Sequence, residues 1–393
     1  MGKSKNNQAT RTLHQQGSKF TTIDAIVKDV DPTNKRILEL ERALCQKGDE
    51  VSILTSKLKS YQREALLTEA LTEELHEATL AMPPFPKIPH KKPAAKTIVE
   101  DAVLHLSDEH ADQIIFPHRV QNLETFNFNV VLARAEKLVN TVIEITQATL
   151  ANYRFENLWI FANGDHVNGE IHDGSNHSEY RNVIRNSIAV GHMHALMIRD
   201  LAQYFKHVYV IYTPGNHGRR SKKKDYRGAW DHWDYLVAET AKLSTPDKTV
   251  EFLIPDSHSV NVTVRGWTFN ISHGDDIKSW MGLPFYGLER QTRRLMALNV
   301  TQGRIIHYFV RGHFHQMSSI EHPGGETFIN GSWKATDEYA LEKLGAFCRP
   351  SQLLHGVHEN HGVTWRLPIY IKFDGDTQGS TRYKVNLTTG TGE

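Results

Sequence analysis

Cysteine is almost missing from this chain. Only Cys45 and Cys348 occur in 393 residues, and they lie in different regions, so no disulfide framework is expected and a reducing, cytoplasmic setting is the default. Cys45 reads as a small apolar filler beside a helical seam rather than a redox switch. Long apolar runs are missing too. No stretch approaches the roughly 20 residues a membrane helix needs, and the Met-Gly-Lys-Ser-Lys-Asn-Asn start has no apolar core behind it to make a secretory signal. Asn6 stands where a myristoylation motif wants Ser or Thr, so no membrane partner is expected. An excess of charge is likewise absent. With 46 Lys and Arg against 45 Asp and Glu the formal net charge is +1, so affinity for a polyanion has to come from local patches.

At this length the chain can fill one large or two smaller domains. Residues 1–32 are polar without period and read as a flexible N-terminus. Within 33–81, Ile37, Leu40, Leu44, Val51, Leu54, Leu58 and Tyr61 follow three- and four-residue steps, with a break at Lys47 and Gly48. That spacing predicts a helix with a coiled-coil seam. Two readings stay open: a helix that assembles a homo-oligomer, or an amphipathic helix packed on its own catalytic domain. Pro83, Pro84, Pro86, Pro89 and Pro93 stiffen a linker over 82–96.

From 97 to 373, strand-like runs alternate with helical stretches, notably Asn129 to Leu150 and Tyr180 to Phe205, which is an α/β pattern. Further strands are expected at Val250 to Leu253, Val260 to Val264 and Thr327 to Asn330. Arg349 to Tyr370 mixes Pro, Gly, His and aromatics without period and reads as a C-terminal cap or pocket wall. The Gly/Thr/Ser-rich end, 374–393, reads as a partly mobile tail.

What the chain has in abundance is histidine, 23 in all, and part of it is ordered. Asp108 and His110, then Asp165, then Asn216 and His217, then His273, then His313 and His315 follow apolar runs at Ala102 to Leu106, Leu158 to Ala162, Val208 to Tyr212, Trp267 to Ile271 and Ile305 to Val310. Side chains placed at strand ends can converge. Carboxylate, imidazole and amide oxygen together suit borderline divalent ions such as Mn, Fe, Zn or Ni. Two such ions can activate a shared water and clamp both oxygens of an in-line displacement at phosphorus. Each block taken singly is weak, because Asp-x-His and Gly-His-x-His occur by chance in a His-rich chain. All of them in this order, each with a small residue for a tight strand-to-loop turn, make phosphoryl-transfer chemistry the natural reading.

Leu-Ser-Asp108-Glu-His110, Asn-Gly-Asp165-His, Pro-Gly-Asn216-His217, Ser-His273-Gly and Gly-His313-Phe-His315 resemble the signature blocks of the calcineurin-like metallophosphoesterases. The resemblance implies two facing mixed sheets flanked by helices, with the metals at the strand ends. It also implies two divalent metal ions, manganese first: Asp108, His110 and His315 on one, Asn216, His273 and His313 on the other, and Asp165 bridging. His217 would contact the phosphate and give a proton to the leaving oxygen, while a metal-bridging hydroxide attacks phosphorus. One residue departs from the pattern. The family usually places Asp or Glu directly after Asn-His, whereas Gly218 stands here, so Asp225, Asp231 or Asp234 would have to substitute in space.

Next to His217, the run from Arg219 to Arg227 carries Arg219, Arg220, Lys222, Lys223 and Lys224, six basic residues in nine with Arg227. Beside a phosphate-processing centre this predicts a grip on a polyanion backbone, with Tyr226 and Trp230 available to stack on bases. A second basic, aromatic stretch follows His273: Lys278, Trp280, Phe285, Tyr286, Arg290, Arg293 and Arg294. DNA is therefore the expected substrate, and the long helical prefix also resembles phage-encoded members akin to DNA repair exonucleases. Other readings are hydrolysis of a small nucleotide ester or phosphoprotein, and a metal-binding scaffold of low activity. The polar run from His166 to Tyr180 reads as a hydrogen-bonded loop. His192 and His194 read as lining their helix rather than binding metal.

Overall fold

A computed structural model of the protein describes residues 32–81, 97–171, 182–224, 228–279 and 284–385. The expected N-terminal lead up to residue 31, the linker at 82–96 and the tail from 386 lie outside them. So do His172, Asp173, Asn176 and His177, together with Asp225, Tyr226, Arg227 and Trp280.

Helix α1 runs Pro32–Ala81. The chain as far as Leu67 forms one compact unit, and the chain from Thr68 onward forms another. In the first, the seam residues Ile37, Leu40, Leu44, Val51, Leu54, Leu58 and Tyr61 are all exposed, and so is Cys45, which therefore fills no gap in packing.

The second unit is built on two mixed sheets. The larger has the order β11-β10-β1-β2-β3-β4, from Gly362–Tyr370, Ser351–His358, Ile98–Leu106, Tyr153–Asn163, His207–Thr213 and Val250–Leu253. Strands β1 to β4 are mutually parallel. The C-terminal parts of β1, β2 and β3 read as apolar runs because both faces are covered there. The smaller sheet has the order β5-β6-β7-β9-β8, from Ser259–Val264, Trp267–Ser272, Tyr308–Arg311, Gly325–Ile329 and Ser318–His322.

Val103, Phe161 and Ile211 of the larger sheet meet Phe269, Ile271, Val310 and Phe328 of the smaller in one apolar layer. On the outer face of the larger sheet pack α2 (Phe128–Glu144), α3 (Val183–Ala202) and α4 (Trp233–Leu243). On the outer face of the smaller sheet, α5 (Phe285–Val300) places Leu288 against Ile329. The result is an α/β/β/α sandwich. Helix starts follow ordinary capping chemistry: the side chains of Asn127, Asn182 and His232 each accept from a backbone N–H of the first turn.

Two expectations change. The segment read as a cap after Arg349 forms β10 and β11, a hairpin that extends the larger sheet, with β10 antiparallel to β1. Its irregular composition hides the strands because Gly356 and His355 serve contacts across the sheet rather than a period along the chain. The strand before His313 begins only at Tyr308. Within the tail, Tyr383 is buried and donates to Asp200 at 2.7 Å. Asp376 accepts from the buried Arg134 at 2.9 Å. No helix among the described residues is long and apolar enough to cross a membrane.

Candidate metal centre

The predicted ligands sit in the loops that leave β1, β2, β3, β6 and β7, and backbone bonds tie those loops together. Asp108 N donates to Gly164 O at 3.1 Å, His110 N to Asp165 O at 3.0 Å, and Gly312 N to His273 O at 2.8 Å. The turns are tight. Asp108, His110, Asp165, His313 and His315 all have positive φ, five of the eight non-glycine residues so disposed among the described residues. Strained backbone of this kind persists where the surroundings enforce it and concentrates at functional sites. Glycine is required beside them: a Cβ on Gly215 would lie 2.1 Å from Asp165 Oδ1, and one on Gly312 2.6 Å from Asp108 Oδ2.

These loops bring together all seven predicted ligands. Donor atoms of Asp108, His110 and His315 form one group, and those of Asp165, His273 and His313 another. Asp165 also groups with His110 and His217, so its carboxylate stands between the two sets. Asn216 Oδ1 faces His313 Nδ1 at 2.7 Å. His110 Nε2 faces His315 Nε2 at 3.2 Å, so one of the two nitrogens donates and the other accepts. Asp108, His110, Asp165 and His273 are fully buried, while His217, His313 and His315 are partly exposed and form the open side.

The electrostatics are set by carboxylates and imidazoles acting on one another. Burial disfavours the charged carboxylate of Asp108, but His315 and His273 outweigh it and hold its pKa low; Asp165 is held well below the usual range by His273 and His217 against the same penalty. Burial works against a charge on His273 as well, yet Asp165 and Asp108 lift it to about 10. His110 is pushed well down by burial and by Lys334.

The donor chemistry fits metal directly. Asn163 O can only accept, so His273 Nδ1, 2.8 Å away, must be a donor, and once the ring gives up its second proton the lone pair is on Nε2. That Nε2 is buried, lies 3.0 Å from Asp165 Oδ2, and makes no aligned hydrogen bond. A backbone carbonyl fixing the tautomer of a buried imidazole is the support expected around a metal ligand.

The missing acid after His217 is replaced in two ways. His217 Nδ1 lies 3.1 Å from Asn168 O, so a backbone carbonyl orients the ring and Nδ1 is its donor. The space a side chain at 218 would occupy is filled by His232, whose Cε1 would lie 2.5 Å from a Cβ there. Asp234, two residues on, accepts from the backbone N–H groups of Asp165, His166 and Gly215 at 3.0, 3.1 and 2.9 Å. It clamps the Gly-Asp165 loop to the Gly-Asn216 loop. Among the anticipated substitutes, Asp231 instead pairs with Arg220.

The basic loop is largely engaged with itself and its neighbours. Lys224 pairs with Asp275 at 2.7 Å, Arg220 with Asp231 at 2.6 Å, and Arg219 donates to the carbonyls of Ser221 and Lys222. Lys222 and Lys223 are exposed. A cleft beside Gly215 is lined by Arg219, Arg220, Lys224, His232 and His258. Trp230 is exposed and stacks on Tyr235 at 4.4 Å between centroids. On α5, Arg290, Arg293 and Arg294 are exposed, with Phe285 and Tyr286.

Sequence reasoning named Asp234 only as a possible stand-in for the missing acid, read His166 and Asn168 as part of a hydrogen-bonded loop and His194 as lining its helix, and did not see that Glu109, His166 and His194 form a second buried cluster. Only the adjacency of Glu109 and His166 to predicted ligands could have pointed to that cluster.

No family model matches the chain, and no curated protein does. Solved structures match at low similarity. Vacuolar Protein Sorting 29 from Cryptosporidium parvum is 15% identical over 66% of this chain and 86% of its own, with a TM-score of 0.29. An archaeal phosphodiesterase is 12% identical over 68% and 99%, TM-score 0.32. A predicted phosphoesterase from Streptococcus pneumoniae is 8% identical over 68% and 98%, TM-score 0.26. At such TM-scores these likenesses decide nothing about chemistry.

Proposed function

We propose that the protein is a dinuclear metal-dependent phosphoesterase of the calcineurin-like type, acting as a phosphodiesterase or nuclease on DNA. The observation that carries this reading is the convergence of the seven predicted donors on one centre: six fall in groups linked by the Asp165 carboxylate, and Asn216 Oδ1 lies against His313. Asp108, His110 and His315 would hold one ion, Asn216, His273 and His313 the other, with manganese first and iron, zinc or nickel as alternatives. Two divalent ions held there supply Lewis acidity toward a phosphate ester and a means of activating water.

The chain's own groups do the rest. With Nδ1 of His217 donating to Asn168 O, proton transfer to a leaving oxygen falls to Nε2. The partly exposed His217, His313 and His315 give a substrate phosphate its way in. Exposed Lys222 and Lys223, with Arg290, Arg293, Arg294 and the nearby aromatics, support a backbone grip and base stacking. A homo-oligomer through α1 is part of the same proposal, supported by the exposed apolar seam.

The test is hydrolysis of single- and double-stranded DNA beside a bis-aryl phosphodiester, with manganese and with chelator. Metal-dependent DNA cleavage that weakens steeply with salt is expected, and Asp108→Ala and His273→Ala should each abolish it. Turnover in either purified, metal-loaded variant refutes the ligand assignment. Turnover of the small ester alone refutes DNA as substrate.

A further inference from the structure

Glu109 sits between two predicted ligands, yet its carboxylate meets a different set of side chains. His194 Nε2, from α3, lies 2.9 Å from both carboxylate oxygens. His166 Nδ1, from the loop after β2, lies 3.6 Å from Oε2. All three side chains are wholly buried, and one donor atom of each falls within 4.8 Å of the others.

We propose that Glu109, His166 and His194 form a third, fully enclosed metal site that takes one divalent transition ion, zinc first, and serves structure rather than turnover. Three features carry the assignment. The donor set of two imidazoles and one carboxylate is one that zinc, iron and manganese accept, and with both oxygens of Glu109 facing His194 it offers four donor atoms. The outer nitrogen of His194 is held: Nδ1 lies 2.8 Å from the Tyr212 hydroxyl on β3, the supporting contact that orients a ligating imidazole.

Most telling is His166. Both of its ring nitrogens are buried without a hydrogen-bond partner, a costly state for a polar ring. A cation seated between it and Glu109 takes up the lone pair of the neutral ring, and it gives the buried carboxylate a counter-charge. Backbone contacts already hold His166, whose N–H donates to Asp234 and whose carbonyl accepts from Ala111 N. An ion here would tie the loops after β1 and β2 to helix α3, so it would brace the two loops that carry Asp108, His110 and Asp165.

The site shares no ligand with the dinuclear centre, and the test separates them. The protein is refolded in excess zinc, desalted, and its metal counted per chain. Three equivalents are expected for the natural chain and one for His313→Ala/His315→Ala. Adding Glu109→Gln to either should remove one equivalent. A metal-free double variant overturns the proposal, as does a count that Glu109→Gln leaves unchanged. If the natural chain and the double variant both hold the same single ion, the two-metal reading fails and this one stands. A readout without substitution at the site covers a Glu109→Gln protein that does not fold: the cobalt-loaded double variant should show the strong visible absorption of a low-coordinate nitrogen and oxygen site. Its absence sinks the assignment.

Discussion

Asp234 shows how much one side chain can arrange without touching the chemistry. Its carboxylate accepts three backbone N–H groups from the two loops that position Asp165 and Asn216. Asp234→Asn keeps the shape but replaces one accepting oxygen with a donor facing a donor. A loss of about 2–3 kcal/mol is expected, read as a lower unfolding midpoint together with reduced metal content; an unchanged midpoint would show that the clamp does nothing. The two cysteines separate just as plainly. Burial pushes the Cys348 thiol up to about 12, whereas Cys45 is exposed. Because the thiolate is the reactive form, iodoacetamide should label Cys45 in the native protein and Cys348 only after denaturation, as peptide mass mapping would record.

Strand β10 carries a consequence for acid stability. His355 on β10 and His105 on β1 are wholly buried with their Nε2 atoms 3.1 Å apart, ringed by Phe161, Phe269 and Phe328. Burial lowers His105 to about 3, and burial with its neighbour His105 pushes His355 well down. These rings are neutral in the fold and protonate in the unfolded chain near 6.5. Their contribution is therefore complete above pH 6.5 and is lost as pH falls toward 3, at roughly 1.4 kcal/mol per pH unit for each ring. Denaturant unfolding between pH 6.5 and 5 should show this slope, and His105→Gln should flatten it; an equal slope in the variant would locate the acid sensitivity elsewhere.

At the scale of the whole molecule, the exposed seam of α1 is where the proposed homo-oligomer is tested. Leu44, Val51, Leu54 and Leu58 are exposed on a long helix, a spacing that a second copy of the same helix would cover. Sedimentation equilibrium should give an oligomer, and Leu44→Lys/Leu54→Lys should give a monomer with the same metal-dependent hydrolysis as the natural chain. A monomer before substitution would leave the seam without this role.

Much of the site was legible in the chain because the ligands follow strands directly. A run such as Val208 to Tyr212 announces a strand, and a glycine-containing turn after it announces where the next side chain will stand. The order of five such blocks then encodes one convergent centre, with no knowledge of what packs against what. The strand pair β10 and β11, the filling of the place beside Gly218 by His232, the clamp by Asp234 and the meeting of Glu109 with His194 are different. Each joins residues whose separation in sequence has no period, such as Glu109 on the loop after β1 and His194 on a helix 85 positions later. Local spacing determines which side chains leave a strand together. Only the packing of two sheets and their helices decides which distant side chains they meet, because burial and contact across layers are set by the assembled core and not by any stretch of chain within it.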